Sequence, residues 1–238
     1  MLILAMETSA KACSTALMED GRLLGQSYQN SGLTHSQTLL AMAQDLLGQC
    51  QKEVADVDAV AVAAGPGSFT CVRIGMAAAK GFAWGRDIPC VAVSTLEAMA
   101  LSLGAYDGYV CPVMDARRNE VYNALFRADC GKLTRLSEDR AISLSELGKD
   151  AEKLDKPIFL VGDGSELCYN YLLKSIPNLV LPPEHRRHQR ADGVALLAWS
   201  RLREGSICPD GPVVPNYLRL SQAERERAAR EQHIEKEI

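Results

Sequence analysis

The sequence predicts an α/β protein built from two similar lobes, and three observations support this fold class. In the first half of the chain, short apolar runs alternate with longer segments whose apolar residues recur at helical spacing, as in a partly parallel sheet covered by helices. The second half opens with a strand that ends, like the first strand, at an acidic residue. With 238 residues, 47% of them hydrophobic, the chain can form one large domain or two small lobes.

Strands and helices are predicted in a regular order along the first half. The run Glu19-Asp20-Gly21 is a turn signal that joins two strand-like segments. Apolar residues at helical spacing follow it, and a second, small-residue helix is predicted after a glycine-rich turn. The predicted strands are 1–6, 12–18, 23–30, 57–64 and 89–93, and the predicted helices are 36–49, 71–84 and 95–103.

The second half repeats the beginning of the first. A shift of 108 residues aligns Met6-Glu7 with Met114-Asp115 and Ala16-Leu17 with Ala124-Leu125 without a gap. The match is short, so chance similarity is the alternative; a true duplication would give two lobes that face a cleft. The remaining predicted elements are strands at 109–114 and 158–161, a turn at 162–164, and helices near 166–174 and 192–204.

Composition argues against several classes of function. The net charge of −4 gives no general attraction to nucleic acid, so any contact with RNA is expected to be local or carried by a partner. No apolar run approaches the roughly 18 residues that a membrane span needs, and the run at 1–6 is too short for a signal peptide. The eight cysteines are scattered without a C-x-x-C pair, which favours free thiols in a reducing cytoplasm over disulfides or a zinc site.

The stretch from Gly65 to Thr70 is a candidate phosphate-binding turn. Gly65 and Gly67 permit positive φ and close backbone approach, and Ser68 can cap the helix that follows. The stretch lacks the G-K-[ST] ending of a Walker loop, and it departs from the dinucleotide pattern G-x-G-x-x-G at Thr70. Because a capped helix N-terminus can bind an anion or stand empty, the motif is more specific for a turn than for a site.

Acidic residues at two strand ends form a second candidate site. Glu7 is followed by Thr8 and Ser9 at the end of the first strand, and Asp115 ends its counterpart in the second half. Facing carboxylates can hold a hydrated magnesium ion beside a nucleotide, with the two hydroxyl groups on phosphate oxygens. The alternative is that these carboxylates only cap turns.

The four histidines do not assemble into a catalytic triad or a metal site. His185 and His188 have a spacing that can bind a metal, but no third ligand is near them in the sequence, and a solvated basic loop is the simpler interpretation. His35 stands at the start of an amphipathic helix, where a histidine is usually structural or part of an interface.

Six motifs taken together resemble the bacterial TsaB (YeaZ) family. They are M-E-T-S at 6–9, T-H-S-Q at 34–37, G-P-G-S-F-T-x-x-R-I-G at 65–75, M-D-A-R at 114–117, G-D-G at 162–164 and N-Y-L-R at 216–219. The resemblance runs to about Leu220 and implies an actin/Hsp70/sugar-kinase fold of two duplicated ribonuclease-H-like lobes with mixed sheets. The chain would then divide into an N-terminal lobe at 1–105, a C-terminal lobe at 106–220 and a charged tail at 221–238. Glu7 replaces the family's usual aspartate, and Cys71 replaces its usual glycine.

The resemblance implies a role in making threonylcarbamoyladenosine, the modified base next to the anticodon of tRNAs that read codons starting with A. The catalyst there is a paralogue, TsaD, in which two histidines of a V-H-H-M-E-G-H segment bind a metal. Thr95 and Met99 occupy those two positions here, and a hydroxyl and a thioether cannot replace two imidazoles. The chain is therefore expected to be a non-catalytic relative without a metal or cofactor, with weak nucleotide binding left open. The vestigial phosphate site would comprise Glu7, Thr8, Ser9, Gly65, Gly67, Ser68, Asp115, Gly162 and Gly164.

The resemblance also places a partner surface on the first two helices, which pack against the same two helices of TsaD. The predicted interface is His35, Leu39, Met42, Ala43, Leu46, Arg73, Met76, Ala77 and Lys80. Both flanks of the first helix are apolar, whereas a helix lying on a sheet needs only one apolar stripe, so the second stripe is free for a partner. The alternative is that both stripes pack into one thick core of this chain. The implied partners are TsaD, the ATPase TsaE and a second copy of the chain when TsaD is absent, with tRNA contacted only indirectly. A phosphotransferase acting on ATP, and less directly a metallopeptidase, are the competing enzyme classes.

Overall fold

The computed structural model describes residues 1–104, 106–205 and 213–219. The strands are β1 (Leu2–Glu7), β2 (Cys13–Glu19), β3 (Arg22–Gln29), β4 (Ala59–Ala63), β5 (Cys90–Val93), β6 (Gly108–Asp115), β7 (Glu120–Asn123), β8 (Phe126–Asp129), β9 (Lys132–Arg135), β10 (Arg140–Ser143), β11 (Ile158–Val161) and β12 (Leu179–Val180). The helices are α1 (His35–Gln49), α2 (Phe69–Arg86), α3 (Thr95–Leu103), α4 (Leu144–Ala151), α5 (Ser165–Leu172) and α6 (Ala191–Arg203). None of the described helices combines the length and the apolar character needed to cross a membrane.

The first sheet has the strand order β3-β2-β1-β4-β5. β1 pairs with β2 in antiparallel fashion and with β4 in parallel fashion, so the sheet is mixed. β1 and β4 are buried along their whole length because helices cover both faces of the sheet, which explains why their sequences are nearly continuous apolar runs.

The second sheet repeats the topology of the first. Its order is β10-β7-β6-β11-β12, with β6 parallel to β11 and antiparallel to β7. β8 and β9 extend the hairpin of β7 and β10, and β8 also pairs with β6. Each hairpin closes at two residues with positive φ, Asp20-Gly21 in the first lobe and Cys130-Gly131 in the second. The shared order and turn geometry confirm the duplication that the sequence predicted.

The ungapped shift of 108 residues is wrong beyond the first strand of each lobe. Glu7 pairs with Ser14, seven residues further on, whereas Asp115 pairs with Val121, only six residues further on. The turn between the first two strands is thus one residue shorter in the second lobe, and a one-residue offset places side chains on the opposite face of a strand. Ala124-Leu125 falls at the break between β7 and β8 rather than inside a strand.

The predicted division of the chain into 1–105 and 106–220 needs a correction, because α6 lies within the second range but packs on the first sheet. Val194 and Leu197 of α6 share one buried core with Ala5 and Ala61 of that sheet. The backbone of Gly193 approaches α3 so closely that a Cβ there would lie 2.0 Å from the Ala98 carbonyl oxygen. The predicted charged tail at 221–238 lies outside the described residues.

The core is arranged in alternating layers of helices and sheets. α1 and α2 cover one face of the first sheet, and α6 covers the other face. α3 also packs on the second sheet, whose opposite face is covered by α4 and α5. The seven cysteines in the described part of the chain are all free thiols.

Candidate functional site

A cleft of about 650 Å³ lies between the two lobes. The end of β1, the turn before α2 and the start of α1 line one side, and the end of β6 lines the other. Five of the predicted site and interface residues line this cleft: Ser9, Gly67, Ser68, Asp115 and His35. His35 is buried, and its Nε2 lies 2.7 Å from the carbonyl oxygen of Ala10. The other predicted site residues do not line the cleft; they are Glu7, Thr8, Gly65, Gly162 and Gly164.

Glu7 is a buried carboxyl group at the end of β1. The backbone N–H of Ser9 donates to its Oε1 over 2.5 Å, which favours the ionised form. Burial outweighs that bond and, with a smaller contribution from Asp163, raises the pKa of Glu7 to about 7. Burial also raises the pKa of Asp163, which accepts a hydrogen bond from Gln189. Burial therefore shifts both carboxyl groups, one from each lobe, towards their protonated forms.

Asp115 caps the turn that follows β6. Its Oδ1 accepts the backbone N–H of Arg117 over 2.7 Å, and the Arg117 guanidinium lies 3.7 Å from Oδ2. Arg117, Arg118 and Asn119 all have positive φ, so this carboxylate stabilises a turn of unfavourable backbone geometry. Within the described parts of the chain, no three His, Cys, Asp or Glu side chains are grouped in a way that could hold a metal ion.

The glycines of the turn before α2 allow close backbone contact. A Cβ on Gly67 would lie 2.5 Å from the carbonyl oxygen of Ser9, which accepts the N–H of Ser68 over 2.7 Å. At Gly75 a Cβ would lie 2.3 Å from Oγ1 of Thr8, whose hydroxyl donates to the carbonyl of Cys71. Ser68 is the N-cap residue of α2, but its side chain makes no capping hydrogen bond. This turn packs α2 against the end of β1.

The turn after β11 and the turn before α2 both approach neighbouring backbone. Cβ atoms on Gly162 and Gly164 would lie 2.1 Å and 3.2 Å from the Val113 carbonyl oxygen, and one on Gly65 would lie 2.7 Å from the Asn216 carbonyl oxygen. The glycines predicted for phosphate contact are therefore required for packing. The N-Y-L-R motif at 216–219, which the sequence marked only as a family feature, forms part of the cleft wall.

Thr95 and Met99 are buried on α3 and do not line the cleft. Met99 packs in the core between α3 and the second sheet, and its sulfur would lie 3.3 Å from a Cβ on Gly162. The hydroxyl of Thr95 is buried without a hydrogen-bond partner, while its backbone N–H donates to the carbonyl of Gly65. A hydroxyl and a thioether in an apolar core do not fit a metal centre.

Five residues of the predicted partner surface are buried inside this chain. They are His35, Leu39, Ala43, Leu46 and Met76. Leu39 is only 1% exposed, because its side chain points from α1 into the core on the first sheet. Leu39, which the sequence analysis placed on the partner surface, instead lies on the stripe that faces the sheet, together with Ala43, Leu46 and Leu47. Met42 is half-buried, whereas Arg73, Ala77 and Lys80 are exposed.

Different apolar side chains are exposed on the same two helices. Leu40 is 54% exposed on α1, and Trp84 is 89% exposed near the end of α2. Ala77 and Gly81 are also exposed on α2, where small side chains would let another helix approach closely. We call Leu40, Ala77, Gly81 and Trp84 the outer face. The sequence analysis left Leu40 and Trp84 out of the interface, because their exposure can be recognised only once the buried stripe of each helix is known.

Comparisons with known proteins bear on the family of this chain. Residues 29–227 match the family model described as TsaD, tRNA N6-adenosine threonylcarbamoyltransferase. The tRNA threonylcarbamoyladenosine biosynthesis protein TsaB of Bacillus subtilis is 30% identical over 226 residues, which cover 94% of this chain and 96% of that protein.

Solved structures agree with these matches. The structure of YeaZ from Pseudomonas aeruginosa superimposes with a TM-score of 0.74 at 28% identity, covering 91% of this chain and 99% of that one. At 10% identity, component A of the Acidaminococcus fermentans (R)-2-hydroxyglutaryl-CoA dehydratase shares the fold alone, with a TM-score of 0.50 over 85% of this chain and 99% of that one. The two-lobed architecture is the actin/Hsp70/sugar-kinase fold, and the chain belongs to the TsaB (YeaZ) family.

Proposed function

We propose that this chain takes part in forming threonylcarbamoyladenosine in tRNA as a non-catalytic subunit that binds a TsaD-type transferase. The observation that carries the proposal is the near full-length similarity to a protein named for tRNA threonylcarbamoyladenosine biosynthesis. The match to the TsaD family model supports descent from the same ancestor as the transferase. The expected reaction is transfer of the threonylcarbamoyl group to the adenosine 3′ of the anticodon, performed by the partner.

The environment of Thr95 and Met99 supports a non-catalytic role. Both side chains are buried in packed core, and neither faces the cleft where a substrate would sit. Glu7, one of the two carboxylates of the predicted magnesium site, is buried, and burial raises its pKa to about 7. An ATP-dependent phosphotransferase would need facing carboxylates that hold a magnesium ion, and of the two predicted ones only Asp115 lines the cleft.

The outer face supports the choice of partner surface. Trp84 and Leu40 are large apolar side chains in contact with solvent, and exposed aromatic residues are typical anchors of protein interfaces. Arg73 and Lys80 lie beside Ala77 on α2 and supply a basic rim. Helix-on-helix packing of α1 and α2 against the equivalent helices of TsaD would bury this face, and in the absence of TsaD a second copy of the chain would cover it.

Introducing a negative charge on the outer face tests the interface. Leu40→Glu and Ala77→Glu are expected to weaken co-purification with TsaD at least about 100-fold, because each would bury a carboxylate in a helix interface. The matched control is Leu173→Glu, which changes a leucine that is also exposed, at the end of α5. If both outer-face variants bind TsaD as well as the control does, the contact lies elsewhere.

The recruitment of TsaE and the absence of catalysis have separate tests. TsaE is expected to bind the complex of the two proteins more tightly than it binds this chain alone, as measured by calorimetry with each species.

Calorimetry of the isolated chain with Mg·ATP should show no tight binding and no turnover. Tight binding with phosphate release would contradict the scaffold function and favour the phosphotransferase.

A further inference from the structure

Residues 213–219 form a strap that crosses the cleft and contacts the first lobe at its centre. The N–H of Asn216 donates to the carbonyl of Ala64 over 2.7 Å. Val213 packs against the core between the first sheet and its helices α1 and α2. Gly65 carries a φ of +108° and leaves no room for a side chain beside the strap, since a Cβ would lie 2.7 Å from the Asn216 carbonyl oxygen. The strap is therefore fitted closely to the turn that precedes α2.

The strap contacts the second lobe at its end. The Arg219 guanidinium donates to the carbonyl of Ala116 over 2.8 Å and pairs with the Glu120 carboxylate over 2.5 Å. Asn216 also reaches the second lobe, with 3.4 Å between its Nδ2 and Oδ2 of Asp139. Arg219 thus contacts the turn after β6 and the first residue of β7, on the side of the cleft opposite to Ala64.

Asp139 belongs to a network of ion pairs that joins the lobes behind the strap. It accepts hydrogen bonds from Arg135 over 2.8 Å and from the hydroxyl of Ser94, at the start of α3, over 2.6 Å. Arg135 and Arg201 of α6 both donate to Glu97 of α3, over 2.7 Å and 2.6 Å. Two carboxylates balance two guanidinium groups, all of them mostly shielded from solvent, so their attraction is screened little.

The strap also contacts the first turns of α2. The Tyr217 ring stacks on Phe69, with ring centroids 4.7 Å apart and planes inclined by 26°. Nε of Arg73 donates to the Tyr217 hydroxyl over 2.8 Å, and its guanidinium lies 3.8 Å from the Phe69 centroid. Arg73 lies on α2 beside the exposed residues of the outer face, so the strap contacts the helix that carries most of that face.

We propose that the strap and the Asp139 network act as a latch that holds the two lobes and the start of α2 in one fixed arrangement. Contacts to Ala64, Phe69 and Ala116 share one short segment, so loss of contact at one end loosens the other end. The state of the cleft is thereby coupled to the position of α2. The latch is a property of the isolated chain and does not depend on the function proposed above.

The latch is tested by removing the side-chain contacts at one end of the strap and measuring amide hydrogen exchange at the other end. Arg219→Ala removes the anchor on the second lobe; the amides of Asn216 and Val72 are then expected to exchange about tenfold faster, the effect of losing roughly one charged hydrogen bond. Tyr217→Ala removes the anchor on α2 and is expected to raise exchange at 116–120 by a similar factor. Tyr171→Ala, which truncates an exposed tyrosine on α5, is the matched control and should change neither region.

Long-range effects decide the outcome. Faster exchange at the distant end in both variants supports the latch. If each variant changes only the residues that it touches, or changes none, the segment is a passive covering and the proposal is wrong. The measurement needs no partner protein, so a failure of the latch leaves the proposed function standing, and loss of TsaD binding would leave the latch standing.

Discussion

Replacing Glu7 with glutamine should change how the stability of this protein depends on pH. The Glu7 carboxyl is buried, and burial raises its pKa from an ordinary value of 4.5 to about 7. Between these two values the folded chain keeps a proton that the unfolded chain has released. The folded state then binds more protons than the unfolded state, so the free energy of unfolding falls as the pH rises through this window.

The size of the effect follows from the two pKa values. At about 1.4 kcal/mol for each pH unit, a pKa of about 7 against one of 4.5 corresponds to roughly 3 kcal/mol. Most of this, roughly 2.5 kcal/mol, is lost between pH 5 and pH 8. Glutamine has nearly the same shape, keeps an oxygen that can accept the Ser9 N–H, and carries no proton to lose.

Urea unfolding of wild type and Glu7→Gln at pH 5 and pH 8 checks this reasoning. The variant is expected to gain roughly 2.5 kcal/mol relative to wild type over that range. Glu152→Gln, at an exposed position at the end of α4, controls for the loss of a carboxylate and should run parallel to wild type. If the difference between Glu7→Gln and wild type stays constant with pH, Glu7 is ionised in the folded protein and the description of the strand end is wrong.

Three further substitutions, one of them with a matched control, test packing and the interlobe network by thermal unfolding. Leu39→Ala should cost about 3 kcal/mol, or roughly 6–12 °C in Tm, whereas Leu40→Ala should stay within about 0.5 kcal/mol; equal losses would refute the assignment of the buried stripe. Gly75→Ala should cost about 1–3 kcal/mol because its Cβ would meet Oγ1 of Thr8, and an unchanged Tm would mean that α2 can shift freely. Glu97→Gln should cost about 2 kcal/mol because two guanidinium groups would lose their shared carboxylate, and a neutral result would argue against a stabilising network.

The order of elements was predictable because local signals dominate it. β1 and β11 stand out as apolar runs bounded by acidic or glycine residues, and α3 was predicted with the bounds that it has. Helix α4 was missed, although Ser143 and Glu146 form a capping box at its start. The short strands β8, β9, β10 and β12 were missed too, because runs of two to four residues carry little periodicity.

Tertiary contacts were much harder to predict. The apolar residues of α1 show two possible stripes, and only the position of the sheet decides that Leu39 is buried while Leu40 is exposed. In the same way, nothing local indicates that α6 returns to the first sheet. The glycines at 65 and 67 signalled a special turn correctly, but the neighbours that demand them, Asn216 and Ser9, are distant in sequence. Local pattern therefore located the candidate site without distinguishing packing from ligand binding.

The central claim is that this chain supports threonylcarbamoyl transfer without performing it. The most direct test combines purified TsaD and TsaE with threonylcarbamoyl-adenylate and tRNA, and measures modified adenosine with and without this chain. We expect modification only when the chain is present, and undiminished modification when it carries Asp115→Asn in the cleft. Full modification in its absence, or loss of modification with an Asp115→Asn chain that still binds TsaD, would contradict the claim.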